Sequence, residues 1–145
     1  DRPWYLEGFT GDAAWPIRPR ERGRGGMVAV NVTRGAVLAS RLRVASGFWA
    51  RLAGLMGRRP LLPGEGLLLR PCAAVHTMFV RGRLDLVFLD GASRVVGLAP
   101  ETPPWRPGLG ARGARSVLEL PPGVIASTGT REGDVVALDP QTGGP

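Results

Sequence analysis

The chain has 145 residues, 43% of them apolar and 21% charged, which fits one globular domain with a single core and lies outside the low-hydrophobicity regime of disorder. Its formal charge is +7 and all 19 basic residues are arginines; such a field attracts anions, but the arginines are scattered and only five aromatics lie beyond residue 26, which argues against a stacking platform for nucleic acid. The longest apolar runs are far shorter than the ~20 residues of a membrane-crossing helix, so no transmembrane segment is expected, and without lysine there is no phosphate-cradling Gly-x-x-x-x-Gly-Lys loop.

Residues 1–26 carry two tryptophans without a hydrophobic period and end in a run from Arg18 to Gly26 rich in arginine and glycine. This reads as a basic Gly/Pro/Arg-rich appendage or linker. A domain is expected over residues 27–140, with 141–145 as a tail. Val28, Val30 and Val32 alternate with Ala29, Asn31 and Thr33, Arg34-Gly35 turns, and Ala36 to Val44 alternates again, predicting a first hairpin. Ser46 offers an N-cap, and Phe48, Leu52, Leu55 and Met56 fall on one helical stripe, so one short helix is expected, stopped by Pro60 and Pro63-Gly64.

From Gly66 onward, short apolar runs alternate with Gly, Pro and Asp. They cover Gly66–Leu69, Ala74–Val80, Leu84–Leu89, Val95–Ala99, Ser116–Leu120 and Asp134–Leu138. Runs at this spacing predict a mainly β domain, a small β-sandwich or barrel-like fold with one short α-helix packed against it. Asp90-Gly91 is the strongest hairpin signal. Pro100 to Gly113, with four prolines and three glycines, predicts a long irregular loop carrying Trp105. Pro121-Pro122-Gly123 and Gly133-Asp134 predict sharp corners.

The order of these pieces carries a resemblance. Arg51-Leu52-Ala53-Gly54-Leu55-Met56 is followed by Gly66-Leu67-Leu68-Leu69, Cys72-Ala73-Ala74-Val75-His76-Thr77 and Leu84-Asp85-Leu86-Val87-Phe88-Leu89-Asp90. Arg94-Val95-Val96, the block from Ala114 to Gly123, and Gly133-Asp134 complete the set. In this order they resemble the bacterial and archaeal family called domain of unknown function 192, over about Met27 to Leu138. The resemblance implies a small β-sandwich or barrel-like fold with one helix beside it, and brings no established catalytic activity or cofactor. Many members place an aromatic and a methionine where this chain has His76-Thr77, so it looks like the branch with a Cys-x-x-x-His-Thr segment. A methionine associated with that branch, five residues before the aspartate, is Val80 here.

Cys72, the only cysteine, forms no internal disulfide and fits a reducing compartment; the cytoplasm is therefore favoured, with export left open because the natural N-terminus is not visible. A Cys72 thiolate activated by His76 and a carboxylate is the alternative enzymatic reading. On one strand, however, residues four apart lie about 13 Å from each other at ~3.3 Å per residue. One cysteine and one histidine also leave no set for a structural zinc ion, so no metal, cofactor or catalytic residue is assigned. Asp85 and Glu119 stand out as carboxylates within apolar runs, where burial demands a partner. Arg51, Arg81, Arg83 or Arg115 are the candidates for a buried ion pair, and the amides of a turn are the alternative partners. The expected role is a non-enzymatic accessory domain that binds a small polar ligand or a protein partner, with Arg51, His76, Thr77, Asp85, Glu119 and Trp105 as its binding residues. Electrostatic binding of nucleic acid is the third reading.

Overall fold

The computed structural model describes residues 27–45 and 60–140. They form β1 Met27–Asn31, β2 Ala36–Ala45, β3 Glu65–Leu69, β4 Ala74–Val75, β5 Leu84–Leu89, β6 Val95–Thr102, β7 Leu109–Gly110, β8 Ser116–Leu120, α1 Val124–Thr128 and β9 Val136–Pro140. The helix expected from Ser46 to Met56 lies outside the described residues, as does Arg51.

Seven strands make one sheet in the order β6-β5-β8-β3-β2-β1-β9, with β2–β3 the parallel pair and all others antiparallel. The sheet curls until its edges meet. Val95 N donates to Asp134 O at 2.8 Å, Gly133 N to Val95 O at 2.8 Å and Val136 N to Ser93 O at 2.9 Å, so the start of β6 is stitched to the start of β9. The mainly β, barrel-like expectation therefore describes the fold. No described helix is long and apolar enough to cross a membrane.

Alternation assigns the two faces. On β5, Val87 and Leu89 enter the inner core with Leu68, Leu118 and Leu120, whereas Leu84, Leu86 and Phe88 join an outer cluster with Leu67, Leu69 and Val117. The outer face is covered by a second layer that includes the β4–β7 pair and the loops around it. Burial on both faces explains why β5 and β8 carry apolar residues at consecutive positions, each run interrupted by one buried carboxylate, Asp85 or Glu119. The second layer lies close because Gly97 has no side chain: a Cβ there would come within 2.5 Å of the Ala111 Cβ.

Three boundaries differ from the sequence expectation. The run Ala74–Val80 is a strand only to Val75, because the backbone of Thr77 bonds to Trp105 and Arg106 in another loop. β6 continues through Pro100 to Thr102; Pro100 sits on the edge strand, where a missing donor is tolerated. Pro121-Pro122-Gly123 leads directly into α1, which the sequence reading leaves as a corner. A helix of five residues is too short to stand alone. It is held by Ile125 in the inner core and closed by Gly129 at φ 66°, a left-handed stop suited to glycine.

Candidate functional site

Asp85 faces the interior at the end of the curled sheet and is fully buried. Its Oδ2 accepts from the amide of Ile125 at 2.7 Å and its Oδ1 from the amide of Glu101 at 2.8 Å. The partners are backbone amides, the second of the two expected arrangements, and not an arginine. One carboxylate thus satisfies an orphan donor of the first turn of α1 and also fixes the root of the loop that follows β6.

That loop carries Trp105 and is clamped by Thr77, which is 1% exposed. The Thr77 hydroxyl donates to Pro103 O at 2.8 Å and accepts from the Arg106 amide at 2.8 Å. The Thr77 amide donates to Arg106 O at 2.8 Å, and Thr77 O accepts from the Trp105 amide at 2.9 Å. Residues 76–80 and 103–106 are thereby locked together. At the tip, Phe79 and Trp105 meet edge to face with ring centroids 4.7 Å apart. Both are 56% exposed and both hold positive φ, 62° and 67°, a region that costs a non-glycine residue about 1–2 kcal/mol. Half-buried His76 accepts from the Met78 amide on Nδ1 at 3.2 Å, an arrangement that places the proton of the neutral ring on Nε2.

Glu119 lies on the opposite face of the sheet from Asp85, opposite Leu67 of β3 and Leu86 of β5. It is 5% exposed, and its Oε2 has no hydrogen-bond partner. Burial in this apolar layer pushes its carboxyl up to about 7. The two carboxylates therefore do not converge. Cys72 packs against the edge of the same outer layer, its Sγ 3.1 Å from Ala74 O.

A polar cluster that sequence reasoning missed sits near the seam. Asn31 Nδ2 donates to Thr130 Oγ1 and to Asp134 Oδ2, both at 3.0 Å, while Arg34 Nε and the Arg131 amide reach the same carboxylate oxygen at 3.0 and 2.9 Å. Burial alone would raise the Asp134 pKa; the hydrogen bonds from Arg34, Asn31 and the Arg131 amide, with the charge of Arg34, bring it down to about 2. The Gly133-Asp134 pair is the available signal, which the sequence reading takes as a turn and as the closing block of the family resemblance. The cluster is internally paired and ties β1 to the turn before β9.

Thr77 and Trp105 are thus brought together, with His76 next to Thr77 in the chain and Asp85 bonded at the loop root, while Glu119 is elsewhere and Arg51 lies outside the described residues. Phe79 and Arg106 are the members of this surface that the sequence reading omitted. Among the described residues, no three His, Cys, Asp or Glu gather closely enough to hold a metal ion.

The family model DUF192, described as "Uncharacterized ACR", matches residues 29–138. A UPF0127 protein of Pyrococcus furiosus is 35% identical over 111 residues, covering 72% of this chain and 92% of that protein. A UPF0127 protein of Thermococcus sibiricus is 32% identical over 114 residues, covering 74% and 71%. Among solved structures, a protein of unknown function from Novosphingobium aromaticivorans superposes with a TM-score of 0.68 at 26% identity, over 88% of this chain and 98% of that one. A candidate transcription regulator of Sinorhizobium meliloti gives 0.67 at 20% identity, over 79% and 92%, and shares the fold.

Proposed function

We propose that this chain, which belongs to the DUF192 family of uncharacterised proteins, serves as a non-enzymatic binding domain whose contact surface is the Phe79–Trp105 pair with His76 beside it. The observation that carries this reading is the cost at which the pair is held. Two large apolar side chains stay half in water, each on a left-handed backbone, and the surrounding hydrogen bonds over-determine that geometry. Strain of this kind persists where the displayed group has a use, and apolar residues grouped at the surface favour contact with a partner. The carboxylates best placed by type for acid–base work are committed elsewhere: both oxygens of Asp85 accept from amides, and Glu119 is sealed in the outer layer.

Titration of the isotope-labelled full chain with a panel of mononucleotides, sugar phosphates and short peptides, followed by amide resonances, tests the reading. Shifts are expected at residues 76–79 and 103–106 and should disappear in Trp105→Ala and weaken in His76→Ala. Shifts confined to other parts of the sheet would remove this surface from consideration.

A further inference from the structure

Resting on that reading, we infer that the occupant of the Phe79–Trp105 surface is a small ligand carrying one ring and a phosphate group. The two loops that build the surface, residues 76–83 and 101–106, contain Arg81, Arg83 and Arg106 against a single carboxylate, Glu101. Three positive charges and one negative leave an excess of +2 in the two loops that carry the aromatic pair. All three arginines are exposed, and none forms an ion pair among the described residues, where the ion pair found is Arg34–Asp134, remote in sequence from these loops. Arg83 is steadied through a neutral acceptor, its Nη1 donating to Glu101 O at 2.9 Å. Guanidinium groups left without carboxylates, one of them held in place at Arg83, suit a phosphate, which they engage with paired donors.

The aromatic geometry sets the size of the ligand. The ring planes of Phe79 and Trp105 cross at 62° with centroids 4.7 Å apart, so the rings pack edge to face and present one small aromatic surface, matched in extent to one planar base or one sugar face. A single strand needs successive stacking positions along a basic groove, and among the described residues the only other aromatic is Phe88, which is buried. On the same loop as Phe79, Nε2 of His76 is the ring nitrogen left as a donor once Nδ1 has accepted from Met78, a polar contact available to a hydroxyl or a phosphate oxygen.

Calorimetric and amide-shift titrations of the full chain with adenosine monophosphate, uridine monophosphate, ribose 5-phosphate, glucose 6-phosphate, adenosine, inorganic phosphate and an eight-residue oligothymidylate separate the possibilities. At least one phosphorylated ring compound is expected to bind at residues 76–79 and 103–106, more tightly than adenosine or inorganic phosphate alone. Preference for the nucleotides assigns the aromatic surface to a base; equal binding of the sugar phosphates assigns it to the sugar. Trp105→Ala is expected to weaken that binding about tenfold or more, and the pair Arg81→Gln with Arg106→Gln by about threefold to tenfold, the loss shrinking as salt is raised. Trp105→Phe, which keeps a ring, should retain most of the affinity. Neutral compounds binding these loops as well as phosphorylated ones would overturn the phosphate assignment while leaving the contact surface standing. Binding of the oligonucleotide with none of the monomers would overturn the single-ring assignment. No perturbation of these loops by any compound would remove both readings.

Discussion

Replacing Glu119 by glutamine is expected to abolish a pH dependence of folding that the wild-type chain carries between pH 4.5 and about 7. The carboxyl rises from 4.5 to about 7 because burial disfavours its charged form. At about 1.4 kcal/mol per pH unit, that interval corresponds to about 3 kcal/mol. Below pH 4.5 the group is protonated in both the native and the unfolded chain and contributes no pH dependence. Between 4.5 and 7 the unfolded chain releases its proton while the native chain keeps it, so stability falls as pH rises. Above 7 both forms are ionised and the loss is complete. Urea unfolding followed by far-ultraviolet circular dichroism at pH 4.5, 6 and 8 reads this directly. The glutamine variant should gain about 3 kcal/mol on the wild type between the first and last pH. Asp134 does not blur the comparison, because its own transition lies between 3.8 and about 2. A difference between the two proteins that stays constant over all three pH values would refute the argument, since it would mean that the native carboxyl titrates normally.

Asp85→Asn keeps the shape but aims an amide donor at one of two amide donors, and should cost about 2–3 kcal/mol in urea unfolding at neutral pH. Asp134 contributes stability that is present above pH 3.8 and lost as pH falls through about 2; in acid-unfolding curves, Asp134→Asn should lower stability at neutral pH and flatten the limb between those values. Thr77→Val removes a hydroxyl that bonds Pro103 and Arg106; hydrogen exchange at residues 103–106 should accelerate at least about tenfold, as expected for the loss of about 1–3 kcal/mol. Gly97→Ala forces a methyl against Ala111 and should cost about 1–3 kcal/mol by overpacking, measured as a lower midpoint in urea.

Much of the sheet was legible because its rules are local. The apolar runs of β5 and β8 appear at the residues where the two-layered packing needs them, and the assignment of Val87 to one face and Phe88 to the other follows from the period of two. Asp90-Gly91 turns as expected, with Asp90 Oδ1 accepting from the amides of Ala92 and Arg94 at 2.9 Å. What escaped depends on contacts between distant residues. The helix α1 owes its first turn to Asp85, which precedes Ile125 by forty positions. The stretch Ala74–Val80 has the composition of a strand, yet Thr77 turns it aside by bonding a loop 26 to 29 residues later. The same clamp brings Phe79 beside Trp105, a juxtaposition no local pattern encodes. Glu119 was recognised as a carboxylate needing a partner, and an orphaned Oε2 is an outcome that counting residue types does not anticipate.

The junction between Ser93–Val95 and Gly133–Val136 has a consequence for biogenesis. β9 is the last strand of the domain to leave a ribosome, and β1, among the first, pairs with it along its whole length. Until residues 133–140 have been synthesised, the outer edge of β1 and that of β6 are both unsatisfied templates for strand addition. The domain thus passes through its most adhesive form just before translation of this segment ends. Arrival of the final strand covers the border of β1 along its length and ties down the start of β6 in one event.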